Sequence, residues 1–396
     1  MEKFNFHLKF LGLLDMLHFK EIVPDRRAQM ASGSTENINN TFGVNNLAKS
    51  MHPNNQNVVI SEIIEHKDAK TFVFTADKLA IFRAGQYVSV KLNIGKTFTT
   101  RAYSISSSPK WVKEGKYAIT VKQAANSFVS EYILKNWKVG EKVSLSGPEG
   151  NFYYEAIRDE KNVLAIAGGS GITPFLSMAY AIRDGIEDFN LTILFGSRKE
   201  SDILFKDEFD KITKECNKVN VVYVLSEEKN DAYENGFINE KIINKYANAP
   251  FSVFLCGPKA MYDFASKELE KMKIDKKHIR QELLTPPASP NAFDKYKGDS
   301  KAIYKLNVII YGEEKTIDMR ADEPILVAIE RAGLKTPSRC RSGECGCCRS
   351  RLISGDVFIP DSTDGRRIAD IQNGFIHTCC SWALSDIKIE VLKDKE

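Results

Sequence analysis

The stretch CRSGECGCCRS, Cys340–Ser350, places four cysteines and two arginines within eleven residues. Of the eight cysteines in the chain, six lie between Cys340 and Cys380. Such clustering argues against disulfides spread over a secreted domain and favours a metal or redox site in a reducing compartment. We therefore expect a cytoplasmic protein whose C-terminal part folds around a sulfur-rich centre.

The spacing within this stretch is C-x4-C-x2-C, formed by Cys340, Cys345 and Cys348, with further cysteines at positions 379 and 380. This spacing ligates plant-type 2Fe-2S clusters. The thiolates of such a loop reach both irons while its backbone N–H groups turn toward the sulfides. Gly343 and Gly346 permit the tight path that the loop requires.

Two other sulfur chemistries fit part of the pattern. A zinc site usually takes two short knuckles, and the adjacent Cys379 and Cys380 would make a poor second one. The sequence CGCC contains a C-x-x-C pair but lacks the strand-then-helix setting of a thioredoxin-like motif. Both alternatives explain less of the pattern than an iron-sulfur cluster does.

Upstream of the cysteines, the hydrophobic pattern changes twice. Short β-branched segments such as TFVFTA and QYVSVKL predict an antiparallel barrel. Buried-looking strands such as NVLAIAG and LTILFGS then alternate with amphipathic helices, which predicts a parallel sheet. The expected domains are an N-terminal helix and arm over residues 1–56, a barrel over 57–155, an α/β domain over 156–284, a linker over 285–302 and a third domain over 303–396.

The N-terminus predicts an amphipathic helix, because apolar residues recur at helical spacing at Phe4, Leu8, Leu11, Leu14 and Leu17. Charged residues interrupt it, so it is too short to span a membrane. It packs on its own protein or docks peripherally to a membrane surface or a partner. The net charge of +4, without long runs of Lys and Arg, indicates no nucleic-acid partner.

Three further motifs point to nucleotides. AGGSGITP, Ala167–Pro174, lies between a buried strand and a helix, where glycines let the backbone approach a pyrophosphate. VFLCGPKAM, Val253–Met261, ends a strand at the edge where parallel sheets bind ligands. In TRAYSIS, Thr100–Ser106, the arginine, tyrosine and serine suit a flavin phosphate and ring. These three side chains also have structural alternatives. The arginine would form a surface ion pair, the tyrosine would pack in the core and the serine would cap a turn.

Taken together, these motifs resemble the ferredoxin-NADP reductase superfamily. The cysteine stretch with IHTCCSWALSDIKIEV resembles a C-terminal plant-type 2Fe-2S ferredoxin domain, as in hybrid-cluster protein reductases and oxygenase reductase components. The resemblance implies a multidomain protein with an antiparallel β-barrel flavin domain, an α/β parallel-sheet NAD-binding domain and an α+β β-grasp ferredoxin domain.

The resemblance also implies an activity. Electrons would pass from NADH through FAD to the cluster and on to a protein acceptor that the sequence does not identify, with NADPH and FMN as the alternative cofactors. No acid-base dyad or nucleophile is required, because the protein aligns its cofactors and tunes their potentials. The rival is a non-catalytic flavin and iron-sulfur subunit of a larger complex, in which nicotinamide binding has lapsed.

The resemblance assigns roles by matching positions. The flavin is expected to meet Arg101, Ala102, Tyr103 and Ser104, with Val129 and Ser130 at its phosphates. The family usually has Gly where this chain has Ser127, which weakens the match for FAD over FMN. The nicotinamide cofactor is expected to meet Gly168, Gly169, Gly171, Thr173, Gly257 and Pro258. Hydride transfer is expected beside two catalytic residues, Cys256 and Ser104.

The resemblance also supplies the cluster ligands. The fourth ligand of the family stands seven residues before the Asp of an SD pair, which is Asp386 here. The ligand set is therefore expected to be Cys340, Cys345, Cys348 and Cys379. The two remaining cysteines of the region, Cys347 and Cys380, are expected to be packed thiols.

Charged residues give three further expectations. Four arginines flank the cysteines in sequence: Arg339, Arg341, Arg349 and Arg351. They would favour the reduced form of the cluster or form a docking rim for an acidic partner. The alternative is a solvated basic surface with no special role. Glu227 and Glu228 follow the strand VNVVYVLS, where carboxylates would repel a 2′-phosphate and favour NADH. Glu282 matches a carboxylate found beside the family's active site, or else makes a helix-end ion pair.

Overall fold

The computed structural model describes residues 24, 53–124, 127–282 and 289–392. The amphipathic helix predicted over Phe4 to Leu17 lies outside them. The described residues divide into two compact units, one of residues 56–92 and 100–282, the other of residues 53–55, 93–99 and 289–392. Within the described residues, no helix is both long and apolar enough to span a bilayer.

The N-terminal strands form an antiparallel sheet of six, in the order β4-β3-β6-β1-β2-β5. The strands are β1 (Gln56–Glu65), β2 (Ala69–Thr75), β3 (Tyr87–Ile94), β4 (Thr97–Ser104), β5 (Lys116–Lys122) and β6 (Lys142–Leu145). The helix α1, Phe128–Asn136, follows β5. The rings of Phe72 and Phe74 meet Trp137 edge-on, which closes the core of this sheet.

A second sheet of six is parallel throughout, in the order β10-β9-β8-β7-β11-β12. Its strands are β7 (Asn162–Gly168), β8 (Asn190–Ser197), β9 (Val219–Leu225), β10 (Glu234–Asn235), β11 (Phe251–Cys256) and β12 (Ile279–Gln281). Its helices are α2 (Thr173–Arg183), α3 (Lys206–Glu215), α4 (Glu240–Tyr246) and α5 (Lys259–Lys271).

The burial pattern explains why this sheet is covered on both faces. In β7, Val163 and Ala165 join the core beneath α2 and α3, while Leu164 and Ile166 join the core beneath α4 and α5. A strand that is apolar on both sides must be covered on both sides. The chain leaves β7 toward β8 on one side and returns as β11 on the other, which creates a crevice at the carboxyl ends of β7 and β11.

The C-terminal sheet is mixed, in the order β14-β13-β19-β15-β17. Its elements are β13 (Ile303–Ile310), β14 (Glu313–Arg320), α6 (Ile325–Arg331), β15 (Arg349–Ser354), α7 (Ile368–Gln372), β17 (Phe375–His377) and β19 (Ile387–Val391), beside a small pair, β16 (Val357–Phe358) and β18 (Trp382–Ala383). The helix α6 buries Ile325 and Ile329 on Leu306 and Ile389 of the sheet. These three sheets with their helices confirm the predicted fold class.

Short 3-10 helices punctuate the loops, at Pro109–Glu114, Gly169–Ile172, Glu200–Asp202, Lys276–His278, Pro290–Ala292, Asp361–Thr363 and Thr378–Cys380. The segment predicted as a linker is described over residues 289–302, which include the 3-10 helix Pro290–Ala292. The ring of Phe293 lies 5.9 Å from that of Trp382, and the ring of Tyr296 lies 5.3 Å from that of Phe358. Residues 289–302 therefore pack within the C-terminal unit.

Candidate functional site

The cysteine loop lies between α6 and β15 and turns its backbone N–H groups toward its own sulfurs. The Sγ atom of Cys340 accepts hydrogen bonds from the backbone N–H groups of Ser342 and Cys345, each at 3.4 Å. The Sγ atom of Cys345 accepts one from the N–H of Cys347 at 3.5 Å. Such donors stabilise thiolate ligands and set the potential of a cluster.

Two glycines give the loop its path, as predicted. Gly343 and Gly346 have φ values of +88° and +68°. A Cβ atom at Gly343 would lie 2.2 Å from the carbonyl oxygen of Thr363, so no other residue fits there without moving the loop. Arg341 also adopts a positive φ, of +60°, which is unfavourable for a residue with a side chain.

The four predicted ligands form two pairs of interacting thiols, Cys340 with Cys345 and Cys348 with Cys379. The thiol of Cys379 also interacts with that of Cys380. The hydrogen bond from the Cys345 thiol lowers the pKa of Cys340 to about 5, and the same bond raises the pKa of Cys345. The pairing with Cys379 likewise raises the pKa of Cys348. Four thiolates at these positions need positive charge between them, which the irons of a bound cluster supply.

This arrangement fits a two-iron cluster better than a zinc ion. Two pairs of cysteines match the two cysteines that each iron of a 2Fe-2S cluster takes, whereas a zinc ion takes three or four ligands around one metal. Cys345 and Cys348 belong to different pairs, which also argues against a thioredoxin-like C-x-x-C unit.

The two other cysteines, Cys380 and Cys347, have different environments. The thiol of Cys380 is buried, donates to the carbonyl oxygen of His377 at 3.5 Å and packs with Leu326, Cys348 and Cys379. Cys347 is half-buried. Cys379 interacts with both Cys348 and Cys380, and its assignment as the fourth ligand stays a prediction.

The arginines of this region have different environments, which the sequence did not distinguish. Arg341 is buried and forms an ion pair with buried Glu330 of α6 at 2.6 Å. Arg349 is paired with Asp370 of α7 at 2.8 Å. Sequence reasoning missed both carboxylates; an acidic residue inside the otherwise apolar ILVAIERAG was the available signal for Glu330. A buried arginine beside the loop is thus neutralised rather than left to act on the cluster.

The predicted flavin residues occupy the end of β4. Ala102 and Ser104 are buried, and Arg101 and Tyr103 are half-buried on the opposite side of the strand. Arg101 donates to the carbonyl oxygen of Thr100 at 2.8 Å. Desolvation raises the pKa of Tyr103, so its hydroxyl keeps its proton and remains a hydrogen-bond donor.

The other half of the predicted flavin site is the first turn of α1. Ser127 caps this nine-residue helix, and its Oγ atom accepts from the N–H of Ser130 at 3.1 Å. Val129 and Ser130 are buried. Among the described residues, the Oγ atom of Ser130 has no hydrogen-bond partner. A buried hydroxyl without a partner, at a helix N-terminus, fits the phosphate of a bound flavin.

We expect Ser130→Ala to weaken flavin binding. Loss of a hydrogen bond to a charged phosphate costs about 2 kcal/mol, or roughly 30-fold in Kd. Fluorescence titration of the flavin-free protein with FAD measures this change. The control is Ser89→Ala in β3, whose buried Oγ atom also lacks a partner among the described residues. Equal affinities for the two variants would contradict the role of Ser130.

The predicted nicotinamide motifs meet at the crevice of the parallel sheet. AGGSGITP runs from the end of β7 through the turn Gly169–Ile172 into α2, and Cys256 ends β11 beside Ala167. A Cβ atom at Gly171 would lie 2.0 Å from the carbonyl oxygen of Cys256. Gly171 therefore permits the two turns to touch. The hydroxyl of Thr173 donates to the carbonyl oxygen of Ser170 at 3.0 Å, which fixes the start of α2.

Cys256, Gly257 and Pro258 form the second side of the crevice. Gly257 leaves room for the side chain of Met261, because a Cβ atom added at Gly257 would lie 2.4 Å from the Cε atom of Met261. Pro258 is the N-cap of α5.

Burial raises the pKa of Cys256, and the nearby carboxylate of Glu282 raises it further, so this thiol is not a nucleophile. Glu282 is buried after β12, where its N–H donates to the carbonyl oxygen of Leu255 at 3.0 Å. It therefore lies at the crevice, not at a helix end.

The acidic segment after β9 contacts a basic residue that the sequence did not single out. The carboxylate of Glu227 lies 3.5 Å from the Nε atom of Arg198, which follows β8. Both side chains are exposed. Glu228 instead accepts the backbone N–H of Glu200 at 2.9 Å. At the corner where an adenosine ribose would bind, the guanidinium of Arg198 is thus already paired with the carboxylate of Glu227.

Three family models match the chain in the order of its sheets. The oxidoreductase FAD-binding domain matches residues 56–154, the oxidoreductase NAD-binding domain matches 165–267, and the 2Fe-2S iron-sulfur cluster binding domain matches 308–384. These models indicate the cofactors FAD, NADH and a 2Fe-2S cluster.

Proteins similar to this chain include reductase components of oxygenases. The glycine betaine monooxygenase reductase subunit of Chromohalobacter salexigens is 27% identical over 348 residues, covering 84% of this chain and 94% of that protein. The 3-ketosteroid-9-alpha-monooxygenase ferredoxin reductase component of Mycobacterium tuberculosis is 27% identical over 353 residues, covering 85% and 95%.

The fold is also similar to that of phthalate dioxygenase reductase, with a TM-score of 0.60 at 22% identity, over 85% of this chain and 97% of that one. The order of the three sheets along the chain agrees with these comparisons. The chain belongs to the ferredoxin-NADP reductase superfamily, among the members that carry a C-terminal plant-type 2Fe-2S ferredoxin domain.

Proposed function

We propose that this protein is the reductase component of an oxygenase system, which takes electrons from NADH and delivers them singly to a protein acceptor. When bound, the flavin accepts a hydride and the cluster carries one electron at a time. The observation that carries the proposal is the presence, in one chain, of an intact nicotinamide crevice and two cysteine pairs suited to two irons. The named activities of the similar reductases support an oxygenase as the acceptor.

The residues of the chain would divide the work as follows. Arg101, Tyr103 and Ser130 hold the flavin, and Gly171 lets the pyrophosphate-binding turn approach Cys256. The four thiols of the two pairs hold the cluster. We also propose the domain boundaries predicted from the sequence, at residues 57, 156 and 303, as the limits of these three tasks.

An anaerobic titration with NADH tests this function. We expect NADH to bleach the flavin and then the cluster of the purified protein, with an EPR signal of the reduced cluster. A non-catalytic subunit, the rival interpretation, would stay oxidised in NADH but would be reduced by dithionite. The glycine turn packed against Cys256 favours the first outcome.

We further expect a preference for NADH over NADPH, because Glu227 neutralises Arg198 and would repel a 2′-phosphate. Glu227→Gln should release Arg198 and improve the kcat/KM for NADPH about fivefold, equivalent to about 1 kcal/mol for an exposed pair. The kcat/KM for NADH should change little. The control is Glu215→Gln at the end of α3, another exposed carboxylate. A wild-type protein that prefers NADPH would refute this expectation.

A further inference from the structure

The residue that follows the first candidate ligand is both strained and buried. Arg341 has a φ of +60°, in the left-handed region that residues with a side chain disfavour. Gly343, which also has a positive φ, shows that this loop uses glycine at another such position. A strained residue of this kind persists only where its surroundings hold it, and such residues cluster at functional sites.

The backbone turn at Arg341 directs a hydrogen bond at the ligand. The peptide group between Arg341 and Ser342 carries the N–H that donates to the Sγ atom of Cys340 at 3.4 Å. The direction of this N–H depends on the φ and ψ angles of Arg341. Left-handed residues in such loops make concave groups of N–H donors, which are common at iron-sulfur sites. A change in the backbone of Arg341 would turn the N–H away from the sulfur.

A buried network holds the side chain of Arg341. Its Nη1 atom donates to the Oε1 atom of Glu330 in α6 at 2.6 Å and to the hydroxyl of Thr99 in β4 at 3.4 Å. The hydroxyl of Thr99 donates to the Oε2 atom of Glu330 at 3.2 Å. All three residues belong to the C-terminal unit and are at most 5% exposed. Glu330 is therefore bound through both of its carboxylate oxygens.

The two charges of this network cancel, which leaves geometry as its effect on the cysteine loop. A buried ion pair is seldom more stabilising than a pair of apolar residues of similar volume, so the pair is not explained by stability. It does explain how a residue with a side chain stays in the left-handed region, because the guanidinium of Arg341 is fixed on α6 by Glu330.

We infer that Glu330 is a positioning residue for the cluster. It holds Arg341 in the left-handed conformation, so that the N–H of Ser342 stays directed at the sulfur of Cys340. The inference rests on the proposed function, since it assumes a cluster on the four thiols. It adds a residue of α6 that tunes the potential of the cluster through another residue. Hydrogen bonds to the sulfurs stabilise the more negative reduced cluster, so their loss should lower its potential.

Two double variants separate the effect of the backbone from that of the charges. Glu330→Leu with Arg341→Gly removes both charges and leaves a residue that readily adopts a positive φ. Glu330→Leu with Arg341→Ala removes the same charges and disfavours that φ. In the full-length holoprotein, we expect the glycine variant to keep the wild-type potential and EPR signal of the cluster. In the alanine variant, the ratio of reduced to oxidised cluster at a given potential should fall about tenfold, equivalent to about 59 mV for one electron.

Tyr311 provides the matched control, because it has a φ of +53° in the turn between β13 and β14. Tyr311→Gly and Tyr311→Ala repeat the backbone comparison outside the cysteine loop, and both should keep the wild-type potential. A further variant, Glu330→Gln, keeps the shape of the side chain and an oxygen that accepts from Arg341. Its EPR signal should match that of the wild type, and an altered signal would contradict the positioning role.

Potentials are measured by titration with dithionite, which requires neither NADH nor the flavin. A cluster that dithionite reduces and NADH does not would therefore count against the proposed function alone. Iron and sulfide assays establish how much cluster each variant holds. If the glycine and alanine double variants behave alike, whether both keep the wild-type potential, both shift it or both lose the cluster, the inference about Glu330 is overturned.

Discussion

Cys348→Ala is expected to remove the cluster and with it all transfer to protein acceptors. Cys348 shares its thiol hydrogen bond with Cys379, so its loss leaves one candidate iron with a single thiolate. Removal of an outer-shell partner of a metal ligand already costs about 10- to 100-fold in metal affinity. Removal of the ligand itself should cost more. Reduction of the flavin by NADH should persist, because it uses the crevice of the other unit.

Iron and acid-labile sulfide assays measure the cluster, and rapid mixing with NADH measures flavin reduction. The matched control is Cys380→Ala, since Cys380 is equally buried and packs against the same sulfurs. It should keep its iron. If Cys380→Ala lost the cluster while Cys348→Ala kept it, the ligand set would be wrong. If Cys348→Ala folded normally but its flavin no longer accepted electrons from NADH, the division of labour would be wrong.

Gly171→Ala is expected to slow the reduction of the flavin by NADH about 100-fold. The added Cβ atom would lie 2.0 Å from the carbonyl oxygen of Cys256 and 2.6 Å from the nitrogen of Gly257. These are backbone atoms, so the two turns must separate. Overpacking of this kind costs about 1–3 kcal/mol of stability. A displacement of about 1 Å between reacting groups can cost about 100-fold in rate, which is the fall that we expect in flavin reduction.

Stopped-flow reduction of the flavin by NADH measures this effect, and dithionite reduction verifies that the flavin is bound. The control is Gly196→Ala at the end of β8, where a Cβ atom would meet Ile238 and Ala167 only at 3.5 and 3.6 Å. That variant should reduce its flavin at nearly the wild-type rate. A wild-type rate in Gly171→Ala would show that the contact between the two turns is not needed.

Local sequence was sufficient to predict the type and order of the elements. The change from β-branched segments to alternating strands and helices reflects which faces are buried, and that information is carried by neighbouring residues. The glycines of CRSGECGCC and AGGSGITP were equally informative, because the backbone conformations and close approaches that they permit exclude other residues. The cysteine spacing predicted a loop around two irons for the same local reason.

The tertiary structure decided how distant residues combine. It pairs Cys348 with Cys379, brings Gly171 against Cys256 and buries Arg341 on Glu330 while Arg349 meets Asp370. Two arginines that are alike in sequence thus have different environments, because the effect of a charge depends on its burial and on the partner within a few ångströms. Sequence spacing fixes neither quantity, since both arise only when the chain has folded.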